Sequence, residues 1–314
     1  VEDPKVVVMG GGTGIGVLLR GLKQFPADIT AIVTVADDGG SSGRLRQEFN
    51  IPPPGDVRNV LVALAEVEPL IEELFQHRFT GGEGLTGHSL GNLLVAGMTS
   101  ITGDFAKGIT ELSTVLNVRG KVLPASNRSI ELFAKMKDGS TVYGESLIPK
   151  AGKQIDQVFI HPPDAEALPE TVRAIEQADV IVIGPGSLFT SIMPNLIVPG
   201  IRDALNRSEA RKVYICNVMT QPGETDGFSA SDHLHAIEKH TGSAFVDTVL
   251  VHNGEIPAPV LANYEKQQAF PVKCDYERLE QIGCRVVTDT FMHYDGLVLR
   301  HNAKKVSEAL LARD

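Results

Sequence analysis

Two adjacent carboxylates, Asp37 and Asp38, open a run of small and polar residues, Gly39, Gly40, Ser41, Ser42 and Gly43, that ends in Arg44 and Arg46. A plain turn needs one glycine and at most one aspartate. An acid that follows the second strand of an α/β unit accepts hydrogen bonds from a ribose, which suits Asp37 or Asp38. Two carboxylates beside a phosphate also hold Mg²⁺ through water, so both are candidate metal ligands. Asp38 is further placed to help deprotonate an acceptor hydroxyl. The competing reading of the pair is an Asx-turn with solvated charges.

A second stretch, Gly10, Gly11, Gly12, Thr13 and Gly14, would let a backbone approach a phosphate where a helix begins and free N–H groups carry positive potential. It has no Lys-Ser/Thr of a Walker loop. Counted from Gly10 and Gly12, the third glycine of a dinucleotide fingerprint falls on Ile15. Gly184, Pro185, Gly186 and Ser187 repeat the strand–glycine–helix logic, with Ser187 as the expected cap. Asn217, Thr220, Gln221, Glu224 and Thr225 put more polar side chains into one connection than a short turn uses, and are placed to read hydroxyls or a base. Asn59 and Asn92 begin two further helices, with Asp56 and Ser89 expected as their N-caps. His88, just outside the second, is a candidate proton donor, with a structural histidine as the alternative. Arg300, after an apolar stretch near the end, suits a diphosphate. His233, His235 and His240 read as the solvated face of a capped helix and lack a metal-ligand spacing.

The elements that carry these residues alternate. Apolar, β-branched runs at Lys5–Gly10, Ile29–Ala36, Asp179–Gly184, Arg211–Val218 and Asp247–Asn253 read as buried strands, with helical stretches between them. One helix should bury Val57, Val60, Leu61 and Leu64, another Leu90, Leu93, Leu94, Met98 and Ile101. This rhythm predicts an α/β fold with a mainly parallel sheet, covered on both faces. Residues 121–161 break it and predict an antiparallel excursion. With no repeat and no linker, one α/β domain over residues 1–314 is expected. The four polar loops above, and "HNGE" after the last of these strands, would then lie at the carboxyl edge of the strands, where open α/β sheets bind ligands.

Composition sets the outer bounds. The 314 residues carry a formal charge of −10, which opposes a general nucleic-acid binder. Three cysteines without metal-like spacing fit a reducing compartment, and no apolar run is long enough to cross a bilayer, so a cytoplasmic protein without membrane insertion is expected. A homodimer is the base-rate expectation.

Taken together, "GGGTG", "TVADDGGSSGRLR", "GDVRN", "GHSLGN", "LNVRGKVLPAS", "GPGSLFTS" and "NVMTQPGET" resemble the YvcK-type gluconeogenesis-factor family, CofD-like proteins related to 2-phospho-L-lactate transferase. The resemblance runs through nearly the whole chain. It implies a Rossmann-like three-layer α/β sandwich with a mainly parallel sheet, in a cytoplasmic bacterial protein needed for growth and cell shape on gluconeogenic carbon sources. It also implies a nucleotide ligand, a UDP-sugar before NAD or GDP, and favours a regulatory binding role, with regulatory protein partners left open. The transferase relatives imply the alternative, a Mg²⁺-dependent enzyme that moves a phosphoryl-linked group. An NAD-dependent oxidoreductase is the third reading, opposed by the imperfect fingerprint.

Overall fold

A computed structural model describes residues 2–66 and 69–312. In chain order the strands are β1 (Lys5–Gly10), β2 (Asp28–Val33), β3 (Lys121–Pro124), β4 (Glu131–Met136), β5 (Thr141–Tyr143), β6 (Ile155–His161), β7 (Val180–Ile183), β8 (Arg211–Ile215), β9 (Thr248–His252), β10 (Arg285–Asp289), β11 (Met292–Asp295) and β12 (Val298–His301). The helices are α1 (Gly12–Leu22), α2 (Gly40–Phe49), α3 (Gly55–Leu64), α4 (Pro69–Gln76), α5 (Leu90–Thr102), α6 (Phe105–Val115), α7 (Pro169–Glu176), α8 (Met193–Leu196), α9 (Pro199–Arg207), α10 (Ala230–Thr241), α11 (Ala258–Glu265), α12 (Tyr276–Ile282) and α13 (Ala303–Leu311).

Seven strands form one sheet in the order β10-β9-β8-β7-β1-β2-β3, every neighbouring pair parallel. Strands β1 and β2 each expose their first residue and bury the next five, as strands covered on both faces must. The chain winds outward through β2 and β3, then returns to β7 on the other side of β1. The order therefore reverses between β1 and β7, and the loops leaving these two strands face each other across a topological switch point.

Several expectations change. Strand β3 belongs to the main sheet, so the antiparallel excursion is shorter than residues 121–161. It is a three-stranded antiparallel sheet, β5-β4-β6, with β4 at its centre. Helix α3 buries Val57, Val60, Leu61 and Leu64 as its periodicity requires. Helix α5 instead buries Gly91, Asn92, Val95, Ala96 and Thr99, and Ile101 is 79% exposed. Thr99 lies close to Gly108 of α6, where a Cβ on the glycine would come within 3.0 Å of the Thr99 nitrogen, so this helix crossing takes the small-residue face. Helix α10 is capped by Ser229 and Asp232 in a reciprocal box, but His233 and His240 are buried and only His235 is exposed. Burial pushes both imidazoles toward the neutral form. No helix among the described residues is long and apolar enough to cross a membrane.

Candidate functional site

Two glycine loops meet at the switch point. A Cβ on Gly14, in the first turn of α1, would come within 3.0 Å of the Gly186 Cα and the Pro185 carbonyl carbon, so only glycine lets the β1 and β7 loops close on each other. A Cβ on Gly12 would lie 2.5 Å from Asp56 Oδ1 and 2.8 Å from Asn59 Nδ2, which brings the start of α3 against the same loop. Buried Asn195 of α8 clamps this junction, its Nδ2 donating to the carbonyls of Gly10 at 3.1 Å and Ser191 at 3.2 Å. The loop after β8 completes the cradle. Asn217 Nδ2 donates to the Gly186 carbonyl at 2.9 Å, and Gln221 Nε2 to Ser187 Oγ at 2.8 Å. Ser187 thus accepts from Gln221 rather than capping the π-helical turn Leu188–Ile192 that follows it. Glu224, 7% exposed, accepts from Thr190 Oγ1 at 2.9 Å and from the Phe189 N–H at 3.3 Å. Thr225 accepts from the Gln221 N–H, and Thr220 is tied to the backbone of Phe270, so both brace the loop from within.

A second wall is built of acids. The stretch Asp37–Arg46 is not one loop: Gly40 already begins α2, which places Ser41 and Ser42 in a helical first turn. Asp37 Oδ1 accepts from the Gly39 N–H at 2.9 Å, the Asx-turn, while a Cβ on Gly55 would sit 3.1 Å from its other oxygen. Asp38 Oδ1 accepts from the Ser146 N–H at 2.9 Å, so the small antiparallel sheet hands its β5 loop to the site. Gly144 turns that loop at φ 100°, where a Cβ would press to 2.7 Å from Asp38 Oδ2. Asp56 does not cap α3, whose N-cap is Pro54; it accepts a hydrogen bond from the Gly12 backbone instead. Burial and then Asp37 push its carboxyl up to about 7. Burial, with Asp37 and Asp38 behind it, pushes Glu145 up to about 8. A cavity of about 620 Å³ opens beside this wall between α2 and the small sheet, lined by Asp38, Arg46, Phe133, Tyr143 and His161 among others. A larger one, about 740 Å³, lies at the opposite, amino-terminal end of the strands and meets none of the glycine loops.

Among the described residues no group of three or more His, Cys, Asp or Glu side chains is disposed to hold a metal directly. His88 is buried and its Nδ1 lies 2.9 Å from Ser41 Oγ, to which Asn92 Nδ2 also donates at 3.1 Å. Burial, then Arg44, lowers its pKa and keeps the imidazole neutral. Ser89 caps α5 as expected. Arg300 stands exposed on β12, opposite His293 in the β11–β12 hairpin, apart from the hydrogen-bonded cradle. The neighbouring His301 reaches the Cys216 backbone, which seats the hairpin near the carboxyl end of β8.

The family model described as 2-phospho-L-lactate transferase CofD matches residues 6–292. The chain belongs to the CofD family. Within it, the chain is 67% identical over 311 residues to a "Gluconeogenesis factor" of Halalkalibacterium halodurans, covering 99% of this chain and 97% of that one. It is 57% identical over 310 residues to a protein of the same name from Bacillus subtilis, covering 99% and 98%. An X-ray crystal structure of a Bacillus halodurans protein superposes with a TM-score of 0.97 at 66% identity, over 99% of this chain and all of that one. In this chain Gly10–Gly14, Gly184–Ser187 and the Asn217–Thr225 loop come together in the cradle, and Asp37–Ser42, Asn59 and Asn92 lie in the adjoining wall. Asp56, Glu145, Ser191 and Asn195 complete the site without a local sequence signal of that role. Only position in the assembled fold, on a strand-to-helix turn or a sheet insertion, reveals them.

Proposed function

We propose that this protein is a gluconeogenesis factor that binds a nucleotide-sugar, a UDP-sugar first, and acts as a binding regulator supporting growth and cell shape. The meeting of the β1 and β7 glycine loops at the switch point is the observation that carries this reading. The N-terminus of α1 would receive the diphosphate, since its first amide groups have no intrahelical acceptor and bear partial positive charge. Asn217, Gln221 and the buried Glu224 stand where a base or sugar needs fixed donors and acceptors. Asp37, at the end of the second strand's loop, suits a ribose, and Arg300 on the hairpin rim would reach a sugar or phosphate by closure of that rim. Isothermal titration with UDP-glucose, UDP-N-acetylglucosamine, GDP and NAD tests it. The expected result is saturation by a UDP-sugar with no product by mass spectrometry; no heat with either UDP-sugar at millimolar concentration would end the proposal.

The acidic wall favours a second reading, a Mg²⁺-dependent transfer of a phosphoryl-linked group. Mg²⁺ held through water by Asp37 and Asp38 would neutralise the donor's phosphates. Asp38 or His88 would then take the proton of an acceptor hydroxyl; Asp38 fits better, because His88 spends Nδ1 on Ser41 in a buried position. Mg²⁺-dependent turnover of a guanosine donor, lost in Asp38→Asn, would move the assignment to this reading.

A further inference from the structure

Arg58 is a buried cation with no carboxylate in ion-pair contact among the described residues. Its side chain is 7% exposed. The Cγ and Cδ atoms lie against Gly91, the residue before Asn92 in the first turn of α5. Nη2 donates to the neighbouring Asn59 Oδ1 at 2.7 Å, Nε is buried with no partner, and the guanidinium forms no ion pair among the described residues. The charge it feels most is a like one, Arg78, ahead of Asp56 and Asp37 acting from beyond contact. A guanidinium does not shed its proton at neutral pH, so it cannot escape burial by neutralising itself. Leaving such a group desolvated and unpaired is costly, and proteins normally pair it.

The groups around it are polar, and several carry positive potential. Asn92, almost fully buried, carries an unpaired Oδ1 while its Nδ2 holds Ser41. Ser41 and Asn92 belong to the first turns of α2 and α5, whose free amides add positive potential. Arg44 and Arg78 flank the place, their guanidinium groups donating to the carbonyls of Thr86 at 2.8 Å and Gly87 at 2.5 Å. Glu48 is the one carboxylate that acts on His88 here, and it too stands off.

We infer that Arg58, with Ser41 and Asn92, binds an anionic group, a phosphate or a carboxylate, on a second ligand, at a subsite separate from the nucleotide diphosphate. Separateness rests on the reading that the nucleotide occupies the switch-point loops. A planar fork matches either anion through two parallel hydrogen bonds, and Asn92 Oδ1 accepts from a hydroxyl or N–H of the same ligand.

The test is a calorimetric titration of the protein, saturated with UDP, with inorganic phosphate and separately with acetate. The expected result is saturation by one of them, which names the anion's class, with affinity at least tenfold weaker in Arg58→Gln. Ligand-free Arg58→Gln should melt no lower than the wild type, because it removes an unpaired buried charge; a purely structural arginine would lower the melting temperature. Asn92→Asp, which sets a negative charge beside the anion, is the second variant and should weaken the same anion. Saturation by neither anion, equal binding by both variants, or loss of anion binding when UDP is added to the wild type would each overturn the subsite. If UDP itself fails to bind, the switch-point reading fails alone, and the same titrations without UDP decide for or against Arg58.

Discussion

The cradle at the switch point and the wall beside it are both polar and both largely enclosed, yet they are built in opposite ways. In the cradle the buried donors are spent on partners: Asn195 Nδ2 holds two carbonyls, although its Oδ1 is unpaired, Asn217 holds one, Gln221 holds Ser187, and Glu224 accepts twice. In the wall, Asp56 and Glu145 are driven toward their protonated forms by burial and by neighbouring carboxylates, and the buried Nε of Arg58 has no partner. A satisfied network fixes a shape before any ligand arrives. An unsatisfied one raises the energy of the empty protein and returns that energy on binding. The comparison therefore assigns positioning to the cradle and ligand-dependent chemistry to the wall.

The largest effect should come from breaking the cradle's closure. Gly14→Val introduces a Cβ into space held by the Pro185–Gly186 backbone, which cannot move aside as a side chain end can. The loops must separate, at a cost of about 1–3 kcal/mol in stability from overpacking. Nucleotide binding should weaken by about 100-fold or more, equivalent to roughly 2.7 kcal/mol. Calorimetry on the folded variant checks this; wild-type affinity would show that the two loops need not touch for binding.

Next in size is Glu224→Leu. It removes the acceptor of two buried donors, Thr190 Oγ1 and the Phe189 N–H, and each orphaned donor costs about 1–3 kcal/mol. The same change also deletes a carboxyl whose pKa burial has raised, which offsets part of the loss. A net fall in stability of about 2–4 kcal/mol by denaturant titration is expected. A neutral result would place Glu224 with the unsatisfied wall and not with the cradle.

The sequence made much of the cradle legible because its parts are local. Apolar runs ending in glycine identify β1 and β7, and a strand followed by glycines and a helix requires a close turn whatever surrounds it. The wall was less legible. Asp56 reads as a cap from its place after "IPPPG", and only the approach of Gly12 turns it inward. Glu145 reaches the site because a three-stranded insertion folds back over α2, a long-range arrangement that no spacing encodes. Helix α5 misled for a related reason. Its leucines, methionine and isoleucine set the apolar periodicity, but the close crossing with α6 at Thr99 and Gly108 selects the small face. Strand β3 is four residues long and ends in proline, too brief to separate from the excursion that follows.

The smallest effect, and the one that most sharpens the contrast, is a pH dependence. A carboxyl whose pKa is higher in the folded protein than in the unfolded chain takes up a proton on folding between the two values. Stability then falls as pH rises through that window. For Glu145 the window runs from the ordinary 4.5 to about 8. The buried imidazoles act in the opposite sense. His301, held down to about 4 by burial, and His233, also lowered by burial, reduce stability as pH falls below 6.5. The two tendencies overlap between about pH 4.5 and 6.5, so the wild-type curve alone does not isolate either. The difference between Glu145→Gln and wild type does. With divalent cations chelated, the variant should gain on the wild type steadily from pH 5 to pH 8 in melting temperature and level off above that. Added Mg²⁺ should shrink the difference at pH 8 if the wall receives a cation, because the ionised Glu145 then meets positive charge. A flat difference curve without cation would mean that solvent already relieves Glu145, and the wall would lose its claim to be the strained half of the site.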